Sequence, residues 1–206
     1  MSDPRAYERH WKVRALRGLV RFYAHAWHHT RVLSPCPIPA QGAAILICNH
    51  VSGIDPLLLQ ATCPRVITWM MAREYYELPI LRSAFERLGY IPVSRGTRDS
   101  ASLKAALRAL SAGKVLGIFP EGRIAPSKEL LPLQPGVALM AARTGAPVYP
   151  AYLGGIQRNM TIARGLLDRQ DVTIAYGRAL EPAGKPASTE ELEAALEQTR
   201  DRIFAR

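Results

Sequence analysis

The segment Asn49-His50-Val51-Ser52-Gly53-Ile54-Asp55 sets an imidazole and a carboxylate five positions apart, directly after the apolar run at 43–48. If that run is a strand and Asp55 opens a helix, the turn between them folds back. The carboxylate then accepts a hydrogen bond from one imidazole nitrogen, fixing tautomer and ring orientation and leaving the other nitrogen as a general base. Gly53 eases such a reversal, and Pro56 suits a first helical turn. The same residues also read as a helix cap, Asp55, beside a satisfied turn histidine, His50; the segment alone does not separate the two. A second group, Phe119-Pro120-Glu121-Gly122-Arg123, again follows an apolar run. An acid, a glycine permitting close backbone approach and Arg123 at a strand end suit a phosphate and its neighbouring hydroxyls. Gly89-Tyr90-Ile91-Pro92-Val93-Ser94-Arg95-Gly96 delivers a further cation, Arg95, past another short apolar run. In isolation Arg95 is equally an ordinary exposed arginine.

These groups need elements to hold them. Alternating apolar and amphipathic stretches predict strands at 43–48, 65–71, 90–93, 115–119, 147–152 and 171–176, with helices at 55–62, 77–88, 98–112 and 135–144. Ser188 with Glu191 is a capping-box pair opening a last helix, whose Leu192, Leu196 and Ile203 form one stripe. Short apolar strands alternating with helices predict an α/β fold: a single domain at 40–206 with a central, mostly parallel sheet flanked by helices. His50 and Glu121 then fall at the C-terminal ends of strands, where such sheets place their sites.

Ahead of this domain, residues 1–33 read as an amphipathic basic helical anchor. The helix is expected from residue 5 to about 30, with Trp11, Leu19, Phe22 and Trp27 on one broad apolar arc and Arg14, Arg17, Arg21 and His28 on the other. Up to Arg31, seven basic residues and two acids carry five of the ten net positive charges. Such a helix can lie in a membrane interface, aromatic side down, each cation near the surface adding roughly 1 kcal/mol. It can equally pack on the domain with its basic face in water. The Pro-rich run 34–39 reads as a helix stop and linker.

Composition narrows the function classes. The chain has 206 residues, 48% of them hydrophobic and 21% charged, with mean hydropathy −0.04. It is neither a disordered chain nor a polytopic membrane protein. Lys and Arg number 27 against 17 Asp and Glu, for a net charge of +10, which calls for an anionic partner. The aromatic residues of the first helix cluster on one arc and are not interleaved with its cations as a stacking surface requires, so nucleic acid is not the expected partner. Cys36, Cys48 and Cys63 suggest neither a disulfide framework nor a zinc site. No bilayer-spanning helix and no cleaved leader are expected.

NHVSGID, GYIPVSRG, FPEGR and VYPAY, in this order across residues 43–152, resemble the four sequence blocks of the PlsC-type glycerolipid acyltransferases, also called lysophosphatidic acid acyltransferases. The spaced pair His-x-x-x-x-Asp and Phe-Pro-Glu-Gly is more specific than either half. The resemblance implies acyl transfer from a thioester of coenzyme A or acyl carrier protein, used as co-substrate with no permanently bound cofactor, to a hydroxyl of a lysophospholipid such as 1-acyl-glycerol-3-phosphate. It implies that His50 is the base and Asp55 its orienting partner. Arg95, Glu121 and Gly122, with Arg123 beside them, would hold the acceptor's glycerol-phosphate portion, and Pro150 would lie on the acyl-donor side. It further implies an amphipathic membrane anchor, here Trp11, Arg14, Arg17, Arg21, Phe22 and Trp27, and a peripheral location on the cytoplasmic side of a phospholipid membrane.

The third block departs from the Thr-Arg-Ser continuation common among phosphatidic-acid-forming members: Arg123-Ile124-Ala125 follows Gly122. That form looks closer to members acting on lysophosphatidylethanolamine or other acceptors. An acyl ester or thioester hydrolase using the same His50-Asp55 pair on water, and a non-catalytic membrane-binding module, are the competing readings.

Overall fold

The computed structural model describes residues 10–94, 99–125, 130–157, 162–181 and 187–205, except the side chains of Ile80 and Leu81. In chain order the elements are α1 (Trp11–Ala26), β1 (Arg31–Val32), β2 (Ala44–Cys48), α2 (Asp55–Thr62), β3 (Ile67–Ala72), α3 (Arg73–Tyr76), α4 (Pro79–Leu88), β4 (Ile91–Val93), α5 (Ser100–Ser111), β5 (Val115–Ile118), α6 (Gly136–Thr144), β6 (Val148–Gly154), α7 (Ile162–Leu167), β7 (Thr173–Tyr176) and α8 (Thr189–Phe204).

The seven strands form one sheet in the order β1-β7-β6-β2-β5-β3-β4. Every pairing is parallel except β6 with β7. In β2 all five residues are buried, because both faces are covered. Its side chains divide by alternation: Ala44, Leu46 and Cys48 join the core under α1 and α2, whereas Ile45 and Ile47 join the core under α5, α6 and α8. Gly117 in β5 admits the indole of Trp69 from β3, since a Cβ there would come within 2.5 Å of that ring. The capping box of α8 forms as its sequence predicts: the Glu191 amide donates to Ser188 Oγ at 3.2 Å, and the Ser188 amide to Glu191 Oε2 at 2.8 Å.

The N-terminal part departs from the expected anchor and linker. Arg31 and Val32 are a strand, paired with Thr173 and Ile174. The Pro-rich run is docked on the domain: Ser34 Oγ donates to Tyr176 O, Ile38 is buried, and the guanidinium of Arg65 donates to the carbonyls of Pro39, Gly42 and Gly113. Arg65 is itself only 3% exposed, so those three carbonyls are what make its buried charge tolerable. Helix α1 packs along α2, burying Ala24 and half-burying Val13, Arg17 and Val20. Arg17 therefore differs from the expectation: its Nη2 donates to Cys63 O at 3.0 Å and Pro64 O at 2.6 Å, closing the C-terminus of α2. His28, read as part of a solvated basic face, is fully buried. No helix among the described residues is long and apolar enough to cross a membrane.

Candidate active site

Three central strands deliver the site residues to one edge of the sheet. In the parallel pair β2 and β5, Ile47 registers with Ile118. Three residues further along each chain stand His50 and Glu121, which is how residues 71 positions apart become neighbours. Asn49 ties the third strand in: its side-chain amide accepts from the Leu153 amide at 2.8 Å and donates to the Leu153 carbonyl at 3.0 Å, fixing the end of β2 against β6.

The turn after β2 folds back as its spacing requires. Asp55 is wholly buried, and its Oδ2 accepts from His50 Nδ1 at 2.8 Å and from the amides of Val51 and Ser52 at 2.7 and 2.9 Å. It does not cap α2, whose N-terminus has no side-chain cap. With Nδ1–H committed to the carboxylate, His50 keeps Nε2 as its basic nitrogen, on a side chain 18% exposed. The ring plane is held as well: Phe119 stacks on His50 with centroids 4.1 Å apart at 14°, and Trp69 stacks on Phe119 at 5.0 Å and 6°.

Glu121 is tied to the backbone of the site loops. Its Oε1 accepts from the His50 amide at 2.9 Å and its Oε2 from the Leu131 amide at 3.0 Å, so the buried carboxylate spans the two loops. A further bond, from the Ala125 amide to the His50 carbonyl at 2.8 Å, laces the same loops. Gly122 has φ +71°, a left-handed conformation that favours glycine, and a Cβ there would displace the end of the Gln134 side chain. Arg123 next to it is exposed. Arg95 lies outside the described residues. Pro150 is buried within β6, registered with Ile47 and accepting at its carbonyl from the Gly177 amide, some residues below the level of His50.

Several contributors escaped the sequence reading. Arg73 begins α3 directly after β3, which lies between β5 and β4 in the sheet, with Nε donating to Ser94 Oγ at 3.1 Å. Nothing in MAREYY separates it from other surface cations; strand order alone reveals it. Asp99 caps α5 and accepts from the Ser102 and Ser94 amides, which holds its carboxyl below the ordinary value. Helix α7 covers the His50 loop, with Gly165 against Ile54 and Ile162 against Gly53. Cys48 is fully buried, and its thiol is pushed well up, by burial first and by the nearby Asp55 and Glu121 carboxylates. That is a packing residue and no nucleophile. Among the described residues no group of three His, Cys, Asp or Glu converges as a metal-binding set.

Comparison with known proteins follows the same lines. A family model described as Acyltransferase matches residues 29–154. The 1-acyl-sn-glycerol-3-phosphate acyltransferase of Bacillus subtilis is 28% identical over 119 residues, covering 57% of this chain and 59% of that protein. The protein of the same name from Helicobacter pylori is 30% identical over 115 residues, covering 54% of this chain and 48% of its own length. The chain thus spans about half the length of these curated relatives. Among solved structures, the 1-acyl-sn-glycerophosphate (LPA) acyltransferase PlsC from Thermotoga maritima matches with a TM-score of 0.74 over 96% of this chain and 84% of that one, at 22% identity, which is a likeness of fold.

Proposed function

The chain belongs to the Acyltransferase family and has the fold of a PlsC-type enzyme, and from that premise we propose that it moves a fatty acyl group from a thioester of coenzyme A or acyl carrier protein to a hydroxyl of a lysophospholipid in phospholipid synthesis or remodelling. The observation that carries this reading is the His50–Asp55 pair at 2.8 Å, with the Nε2 edge of His50 left for a substrate and Arg123 exposed on the neighbouring loop. Nε2 takes the acceptor's hydroxyl proton as the oxygen attacks the thioester carbonyl. The carbon–oxygen bond forms, the carbon–sulfur bond breaks, and the leaving thiolate receives the proton from the imidazolium. Because a thioester is already activated, one base and a positioned alcohol suffice without a covalent enzyme intermediate.

Arg95 and Arg123 serve the acceptor's phosphate, and Glu121 holds the base in place. The protein works as a peripheral enzyme on the cytoplasmic face of a membrane. In support, the side of α1 opposite α2 presents Trp11, Leu19 and Phe22 at 68, 64 and 71% exposure, and Lys12 lies over the Trp11 ring. Leu166 and Leu167 of α7 continue that surface beside Tyr23, whose hydroxyl donates to the Leu166 carbonyl.

The test is transfer from a labelled long-chain acyl thioester to a panel of lysophospholipids and glycerol 3-phosphate, with wild type and His50→Ala in parallel. One acceptor acylated by the wild type, with the variant slower by roughly 10²–10⁴, is the expected result. Thioester consumed by water alone would make the protein a hydrolase.

A further inference from the structure

Two of the chain's three cysteines, Cys36 and Cys63, meet across segments that are distant in sequence. Cys36 stands in the run between β1 and β2, and Cys63 ends α2. The Cys63 thiol donates a hydrogen bond to the Cys36 sulfur, which also receives the Ile38 amide and the Tyr176 hydroxyl. We infer that Cys36 and Cys63 form a peroxide-reactive dithiol, in which Cys36 is the attacking sulfur and Cys63 closes a reversible disulfide onto it.

Three features agree. First, access differs between the two sulfurs. Cys36 is partly exposed and lines the open groove between α1 and the α2 terminus, beside Thr62 and Pro64, whereas Cys63 is buried. A small oxidant therefore meets Cys36 first. Second, the donors converging on Cys36 stabilise its thiolate, which is the nucleophilic form. Third, both backbones are fixed where the thiols meet. The Cys63 amide donates to the Leu59 carbonyl at 3.0 Å and its carbonyl accepts from Arg17 Nη2 at 3.0 Å, while Cys36 lies between Ser34, bonded to the Tyr176 carbonyl, and the buried Ile38. Hydrogen-bonded sulfurs on fixed backbones need only a short approach to reach the roughly 2.05 Å of a disulfide. Cys48 is the internal contrast: it is fully buried, and its thiol donates to Asn49 Oδ1 at 3.3 Å.

The step balances with hydrogen peroxide as the oxidant. The Cys36 thiolate attacks one peroxide oxygen, the sulfur–oxygen bond forms and the oxygen–oxygen bond breaks. The departing hydroxide takes up the proton that the Cys36 thiol gave up and leaves as water, with Cys36 now a sulfenic acid. The Cys63 sulfur then attacks the Cys36 sulfur; the sulfur–sulfur bond forms, the sulfur–oxygen bond breaks, and the hydroxide leaves with the Cys63 proton as a second water. The two thiols lose two electrons, which reduce the peroxide, and a dithiol reductant reverses the change. Disulfides that form transiently in reducing compartments usually serve redox sensing. This one would close residues 36–63 into a loop containing β2, His50, Asp55 and α2. It does not rest on the acyl-transfer reading.

The test treats the full chain, reduced with dithiothreitol and desalted, with a small excess of hydrogen peroxide, and then blocks free thiols by alkylation. Trypsin leaves all three cysteines on one peptide, 32–65, so a protease that cuts before Asp55 is added to part Cys63 from Cys36. Two of the three thiols should be lost, with a Cys36–Cys63 link in the mass map, Cys48 alkylated, and full recovery on dithiothreitol. The thermal midpoint of the oxidised chain should be no lower than that of the reduced chain. Cys63→Ala should stop at the Cys36 sulfenic acid, trapped with dimedone, and Cys36→Ser should keep both remaining thiols. The inference is overturned if all three thiols survive, if the link joins Cys48 or a second chain, or if oxidation lowers the midpoint. The wild-type map decides the matter even where a variant fails to fold.

Discussion

His50 is held at four points: Asp55 on Nδ1, Glu121 on its amide, Ala125 on its carbonyl and Phe119 on its ring face. The positioning role proposed for Glu121 yields a prediction opposite to that of an acceptor-holding residue. Glu121→Gln turns an amide NH2 toward a backbone N–H that needs an acceptor, so kcat should fall while KM for the acceptor stays within about twofold. A rise in KM alone, read from initial rates across acceptor concentrations, would return Glu121 to the acceptor. The cysteines differ among themselves for equally local reasons. A hydrogen bond from the Cys63 thiol draws the partly exposed Cys36 down, whereas that bond first and burial second push Cys63 well up. Timed alkylation with mass mapping should label Cys36 ahead of both Cys63 and Cys48.

At the scale of elements, α1 and α7 are joined by the Tyr23 hydroxyl, and a buried histidine backs it. His28 Nε2 lies 2.9 Å from the Tyr23 hydroxyl, which donates onward to Leu166, while Nδ1 is buried without a partner. Burial lowers the pKa of His28, so the folded protein binds its proton less readily than the unfolded chain. The stability this represents is present above about pH 6.5 and is lost as pH falls through that value toward the depressed one. Thermal midpoints measured from pH 7.5 to 5.0 should fall more steeply for wild type than for His28→Gln; parallel curves would show that His28 titrates normally. Most elements were legible beforehand, since 3.6-residue and two-residue periods reflect which face is buried. The strand Arg31–Val32 and the helices Arg73–Tyr76 and Ile162–Leu167 were not. Each is too short to carry a period, and each exists because a neighbour, β7, β4 or the His50 loop, supplies its contacts.

For the whole molecule, α1 and β1 are part of the folded body. Val20 and Ala24 pack into the core beneath α1, and β1 extends the sheet. Removing residues 1–33 should therefore lower the thermal midpoint markedly, whereas Trp11→Ser, Leu19→Ser and Phe22→Ser together should leave it nearly unchanged and abolish sedimentation with anionic vesicles. Undiminished sedimentation of the triple variant would sink the anchoring role of that surface. The sequence by itself determined the α/β class and the mostly parallel sheet, because a short apolar strand announces its own burial, and it set His50 and Asp55 within one turn of each other. Only the tertiary structure decided what Glu121, Arg17, His28 and Arg73 touch. Their partners come from strands or helices distant in sequence, and a side chain's chemistry names what it can bond to without saying what the fold will bring within reach.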